Sequence, residues 1–317
     1  MPNYLKYGHR RRGGAGLTTD SLNQLERASV LERHYGNVRY VDSKLAAAGS
    51  GLSWGGAYLT IEAAINASVA DDIIMVAPLH VETVTAAAGL ALDVAGLTII
   101  GYGNGNRRPQ INFTTAVGAS MRVSAANISM HNFRFTGGID ALTSPIDLQA
   151  ADFTLTNFVT EDVTGQATDF IVTTDAADRF YLGGWEHRGA AAAGADTAIS
   201  VVGGDDWVIE DFEIYGNFAV AAIENVTTAS NRVRIGGGPR TCYIWTENAA
   251  DVCVTMVSTS TGYIAGPIDA MLQDNAANIT EAFVGAAMQF MQPIRLVNLA
   301  GESSMETNIT ATTDAIV

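Results

Sequence analysis

The chain has 317 residues, of which 48% are apolar and 16% charged, with 32 glycines and seven prolines among them. That is enough chain to bury one large core or two modest ones, and so little charge with so much Gly, Ala, Val, Thr and Asn argues for many short strands, not a helical bundle. The formal net charge of −15 sets the body against nucleic acid, which is not an expected partner.

The first segment, residues 1–38, holds six basic groups (Lys6, Arg10, Arg11, Arg12, Arg27, Arg33) against three acidic ones. The remaining chain holds 12 basic and 30 acidic groups. A basic arm on an acidic body is suited to contact with an acidic surface. Behind the charges of the start no apolar stretch follows, so it does not read as a secretory signal, and synthesis in a host cytoplasm is expected. No run approaches the ~18 apolar residues that a spanning helix needs, and no membrane partner is expected. Residues 20–35 read as a short helix with Leu22 and Leu25 on a narrow apolar edge, capped by Thr19 or Asp20. Residues 60–69 read as a second helix, with Thr60 as its N-cap and Ile61, Ala64 and Ile65 on its apolar stripe. This helix is expected to cover the first coil at Ile73, Ile74 and Met75.

From there a repeat organises the chain. Asn, Asp or Gly opens a strand at Asp72, Gly96, Asn127, Asp152, Asp178, Asp206, Asn231, Asp251 and Asn278, at intervals of 24, 31, 25, 26, 28, 25, 20 and 27 residues. After Asn127, apolar residues fall at Ile128, Met130, Phe133 and Phe135, and after Asp206 at Trp207, Ile209, Phe212 and Ile214. Steps of two keep one face of a strand, and the step of three marks a bend between two short strands. At the bend stand Asn132, Asn157 and Asp211, residue types that tolerate left-handed backbone and stack into hydrogen-bond ladders. A third strand precedes each opening, with inward pairs such as Met121/Val123, Ile146/Leu148 and Ile199/Val201. The coils at Asp178 and Asn231 place their inward pair one residue late, as a bulge would.

The pattern predicts an all-β fold, a right-handed single-stranded parallel β-helix of about nine coils with three strands each. Its capping helix lies at the N-terminal end, behind an extended arm. The division is an arm at 1–38, a β-helix at 39–283 and a cap or oligomer contact at 284–317. An antiparallel sandwich would show hairpin turns, but the one Asn-Gly is Asn104-Gly105 and no Asp-Gly occurs.

The opening, Tyr40-Val41-Asp42-Ser43, then Ser53-Trp54-Gly55-Gly56, the capping helix, Asp71-Asp72-Ile73-Ile74 and Leu97-Thr98-Ile99-Ile100-Gly101, resembles proteins of the pectate-lyase-like right-handed β-helix superfamily. The resemblance covers roughly residues 39–283, motif-like only at the opening and matching in periodicity beyond it. It implies the fold, while the superfamily spans polysaccharide lyases, galacturonases, phage tailspikes and capsid-decoration proteins. A galacturonase-like member would carry paired carboxylates. Asp205 and Asp206 resemble its Asp-Asp element, but no Gly-His-Gly occurs and Arg232-Val233-Arg234-Ile235 fits poorly, so no catalytic residue is assigned beyond these two as an alternative. A lyase-like member would hold an acidic calcium cluster and a basic residue; Asp205, Asp206, Glu210, Asp211 and Glu213 are the clustered acids, with outward Glu210 and Glu213 near Arg232 or Arg234 one coil on.

Two cysteines, Cys242 and Cys253, read as buried thiols, the five histidines form no metal motif, and neither cofactor nor metal is expected. The favoured expectation is a non-enzymatic phage virion protein. It would be a head decoration trimer anchored to the major capsid or another virion protein by Lys6, Arg10, Arg11, Arg12, Leu22 and Leu25. The alternative is a tailspike or another polysaccharide-binding or depolymerising β-helix, a lyase or glycoside hydrolase. Its glycan would lie on outward aromatics among Trp185, Tyr215, Trp245 and Tyr263.

Overall fold

The computed structural model describes residues 36–162, 167–189, 195–246, 252–272, 283–291, 294–298 and 309–310. Among these, every strand pair is parallel, which excludes a sandwich of hairpins. The first side stacks Val38–Val41, Ile73–Val76, Thr98–Gly101, Ser129–His131, Thr154–Asp162, Tyr181–Arg188, Val208–Gly216, Val233–Gly236, Gly262–Ala265 and Met288–Met291. A second side joins the same sheet across the bend. The third side is a nine-stranded sheet of its own. Two of its nine strands, Phe283–Val284 and Ile309–Thr310, have only two residues, so the regular coils number about seven, slightly under the nine expected. The fold is a parallel β-helix.

One turn is built on left-handed residues, and these correct the sequence register. Positive φ occurs at Asp71, Gly96, Asn127, Asp152, Arg179, Asp206 and Arg232. The strand registers place all seven in one column, one per coil. In two coils the left-handed residue is therefore Arg179 or Arg232, not the Asp178 or Asn231 before it. That accounts for the late inward pairs Phe180/Leu182 and Val233/Ile235, and neither coil needs a bulge. Arginine carries a steric cost there, offset by charge. Arg179 donates to both Asp152 oxygens at 2.7 and 2.8 Å, and Arg232 to both Asp206 oxygens at 2.7 Å. Asp71, not Asp72, is the left-handed residue of the first coil. Asp72 is instead fully buried and accepts from Asn37, Arg39 and Val69. The strand Val252–Thr255 pairs with Phe218–Asn225 on the third side and not with the coil openings; Asp251 itself lies outside the described residues. The next coil opens at Gly262–Ala265, and the 20-residue interval marked that misreading. Asn278 lies outside the described residues.

Counted from the left-handed residue, the interior is regular. Position +1 stacks Ile128, Phe153, Phe180, Trp207 and Val233, and position +6 stacks Phe133, Phe158, Trp185 and Phe212, all buried. Phe180 lies on Trp207 with centroids 5.4 Å apart, and Phe158 on Trp185 at 5.6 Å, both nearly coplanar. The expected third-side pairs Met121/Val123, Ile146/Leu148 and Ile199/Val201 are buried as well.

The N-terminal end is closed by the helix Ile61–Asn66, where Thr60 accepts from Ala63 N at 3.1 Å. Its Ile61, Ala64 and Ile65 join the main core with Ile74 and Val76. Ile73 and Met75 point the other way, into a small cluster with Val38, Tyr40 and Ala57, flanked by Leu45, Trp54, Ile100 and Tyr102. Glu82, buried, accepts from Ile61 N at 2.8 Å and thereby satisfies a free donor of the helix start. His80 accepts from Ser43 N through Nδ1 at 3.0 Å, leaving Nε2 to donate to Glu82 at 3.1 Å. At the far end, Met288–Met291, Ile294–Asn298 and Ile309–Thr310 add parallel strands to the same sheets, where a cap or oligomer contact was expected. The arm residues Lys6, Arg10, Arg11, Arg12, Leu22 and Leu25 lie outside the described residues.

Candidate functional site

Position +5 forms the bend. Down the stack it is occupied by Gly101, Asn132, Asn157, Gly184, Asp211 and Gly237. Asn132, Asn157, Gly184 and Asp211 all take positive φ, at 67°, 53°, 64° and 55°. Asn157 Nδ2 donates to Asn132 Oδ1 at 2.9 Å, and Asn132 Nδ2 donates to the carbonyls of Gly101 and Gly103. The expected ladder is thus present, and it is interrupted. Gly184 faces Asn157 on one side and Asp211 on the other and supplies no side chain.

Two arginines flank the gap from turns on other coils. Arg108 donates through Nε to Asn132 Oδ1 at 2.9 Å and through Nη2 to Asn157 Oδ1 at 2.7 Å. Arg240 donates through Nε and an η nitrogen to both oxygens of Asp211, at 2.7 and 3.1 Å. Burial lowers Arg108 below the ordinary guanidinium value, and the Asp211 carboxylate raises Arg240. Between them lies a depression of about 110 Å³, bordered also by Glu186, Glu213 and Thr241 and floored by Phe158, Trp185 and Phe212. Pockets that enclose a small molecule run to about 300–1,000 Å³, so this one is too small to enclose a whole small molecule.

Beyond the bend the strands alternate inward and outward. Trp185 and His187 point in, while Glu186 is half-buried and Arg188 exposed. One coil on, Glu213 is exposed and Tyr215 half-buried. The registers give two outward columns, Glu186–Glu213–Tyr243 and Arg188–Tyr215–Trp245. Arg188 Nε donates to Glu186 Oε1 at 2.6 Å. Tyr215 and Trp245 meet edge to face with centroids 5.4 Å apart. Carboxylates, guanidiniums and aromatic rings therefore share one outer face beside the depression.

The candidates picked from sequence divide. Asp205 and Asp206 are turn residues on a different edge. Asp205 accepts from Asn231 N at 2.8 Å, and Asp206 is held by Arg232, whose hydrogen bond keeps it below the usual carboxylate range. Glu210 accepts from Arg234 and from Tyr181 Oη, forming an ion-paired face with no cation cluster. Trp185 is in the core, its Nε1 donating to Thr160 at 2.8 Å, and borders the outside only as part of the floor of the depression. Tyr263 is 36% exposed but belongs to the face before the bend, with Arg234. Of these candidates, Tyr215, Trp245 and Glu213 stand at the outer face of the site. Asn132 and Asn157 bond to each other from coil to coil, Asp211 is held by Arg240, and Asn157 and Asp211 border the depression. Arg108, Gly184, Glu186 and Arg240 were not singled out. The signal for Gly184 was an absent Asn or Asp at +5, hidden by counting that coil from Asp178.

Elsewhere, partial burial raises the Asp162 carboxyl to about 7, and the half-buried Asp169 and Glu224 move the same way. Among the described residues no group of three His, Cys, Asp or Glu could hold a metal ion, and no helix is long and apolar enough to cross a membrane. Cys242 and Cys253 are buried thiols.

No protein-family model and no curated protein matches the chain. Among solved structures it is similar to one described as a rhamnogalacturonan lyase, at 10% identity, a TM-score of 0.49, and coverage of 89% of this chain and 90% of that one. That similarity concerns the fold. The expectation of a non-enzymatic phage decoration protein is corrected here. The similar solved structure is described as a rhamnogalacturonan lyase, and the comparisons give no support to a phage, a capsid or a trimer. The residues on which the anchoring rested lie outside the described part, whereas the described outer face carries clustered polar and aromatic groups.

Proposed function

We propose that the chain is a polysaccharide-binding and depolymerising β-helix protein. An extended glycan runs along the outer face of Arg188, Tyr215 and Trp245, with one sugar at the depression beside Gly184. The observation that carries this reading is the junction of a small polar depression with an outward aromatic pair on adjoining coils. Sugar rings present apolar faces and polar edges. An aromatic pair covers the first, and convergent guanidinium and carboxylate groups satisfy the second. A rigid parallel sheet fixes these groups without a cost of ordering on binding.

Cleavage is supported by Glu186 and Glu213. They stand directly opposite each other on adjacent strands, and a pair of carboxyl groups flanking the scissile bond is what glycoside hydrolysis requires. Arg188 donates to Glu186 at 2.6 Å and fixes its orientation, and Glu213 presents a second carboxyl one coil on.

The test is affinity electrophoresis of the full chain in gels containing dextran, mannan, rhamnogalacturonan or polygalacturonate, followed by reducing-end assays on any that retards it. Retardation by at least one, lost in W245A, is expected. Retardation by none overturns the reading. Reducing ends released by the wild type and not by E186Q or E213Q are expected, and a polysaccharide bound but never cleaved removes the depolymerising half.

A further inference from the structure

Resting on the binding reading, we infer that Gly184 determines what the depression accepts, and that an uncharged sugar diol takes the place of the missing ladder side chain. The stack defines the gap. Asn157 and Asp211 flank position 184 in register, and both are left-handed Asx residues. An Asn at 184 would continue the rungs by placing its amide between them. Gly leaves that space open to solvent, and it is there that the depression forms.

The lining chemistry selects the occupant. Asn157 Oδ1, Asp211, Glu186 and Glu213 are acceptors that call for O–H or N–H donors. Arg108 and Arg240 keep N–H groups beyond those already engaged, and these call for an acceptor. A pair of neighbouring hydroxyls donates and accepts at once, so it serves both sets. A carboxylate only accepts. It would meet three carboxylates against two guanidiniums, one of which is already bidentate to Asp211. The floor of Phe158, Trp185 and Phe212 is fixed by core stacking, so the occupant enters from the outside only.

A β-carbon at Gly184 would stand 3.3 Å from Asn157 N and 3.4 Å from its Cα, a tight but tolerable approach, and Asn accepts the φ of 64° better than other residues with a β-carbon. G184N is therefore expected to fold with an unchanged or higher Tm and to close the gap with its own amide. G184A adds only the β-carbon and leaves most of the gap open.

The experiment compares wild type, G184N, G184A and W245A by affinity electrophoresis in dextran, mannan and polygalacturonate gels, with Tm measured on each. Retardation of the wild type by a neutral polysaccharide is expected, weakened tenfold or more in G184N, within about threefold of wild type in G184A, and lost in W245A. If W245A loses retardation while G184N keeps it, the glycan reading stands and the role of Gly184 is refuted. If G184A loses as much as G184N, strain and not occupancy is responsible, and the inference fails. Should only polygalacturonate retard the chain, in a G184N-sensitive way, the occupant is an acid and the diol assignment is wrong. If G184N does not fold, G184S, which places a single hydroxyl in the gap, is held to the same tenfold criterion.

Discussion

Asn157 Nδ2 donates to Asn132 Oδ1 at 2.9 Å from one coil to the next, at two residues that both hold left-handed backbone. The bend thus spends unfavourable backbone conformation and recovers it through side chains that only Asn, and to a degree Asp, can supply. The depression exists because this arrangement is broken at one rung.

Asn132 is the most heavily bonded rung, buried, donating to two carbonyls and accepting from Asn157 and Arg108. N132A loses these bonds and forces Ala into positive φ, at a cost of about 2–4 kcal/mol. N132G loses the bonds without the strain and is expected to cost less. Urea denaturation of the three proteins measures both, and equal losses would show that strain plays no part.

Trp207 is fully buried and stacked on Phe180. W207A opens a cavity in the centre of the coil stack and is expected to cost about 3–5 kcal/mol by chemical denaturation, as large-to-small core changes do. R232G, at an exposed left-handed position with φ 58°, removes an ion pair open to solvent while relieving the backbone. It is expected to be at least as stable as wild type, and a clear fall in Tm would mean that the Asp–Arg column contributes more than an exposed pair should.

Half-buried Asp162 and fully buried His187 give the fold opposing pH responses. Burial raises Asp162 to about 7, so the folded state holds a proton that the unfolded chain releases from about pH 4 upward. The stability this contributes is present at acid pH and is lost as pH rises toward 7. Burial lowers His187 to about 3, so the unfolded chain takes up a proton that the folded state refuses. That contribution is present at neutral pH and is lost as pH falls from about 6.5 toward 3. In D162N only the His187 effect remains of the two. Its stability, read by denaturant midpoint, is expected to fall more steeply than that of wild type between pH 6.5 and 4. Parallel curves would contradict the burial of Asp162.

Much of the architecture was legible in the sequence because coil stacking imposes a strict rule on side chains. Steps of two and one step of three recur only if the same three faces return in every coil, and Ile128/Met130/Phe133 and Trp207/Ile209/Phe212 obeyed it. The register errors at Asp178 and Asn231 came from assuming that a turn residue must be small and polar. Arg179 and Arg232 occupy the left-handed position because an Asp one coil away pairs with them, a long-range effect that no local pattern reveals. The site was harder to see for a related reason. Its defining feature is a side chain that is missing from a column, and its arginines arrive from loops with no periodic signature. The functional class was misjudged by weighting the basic arm, a feature of composition, above the chemistry of the outer face.

The account stands most directly on where a bound polysaccharide lies. Hydrogen exchange of the full chain, with and without a polysaccharide that retards it, measures this. Slowed exchange is expected in segments 184–188, 211–215 and 240–245. Protection confined to the third side, at 169–173 and 197–201, would contradict it.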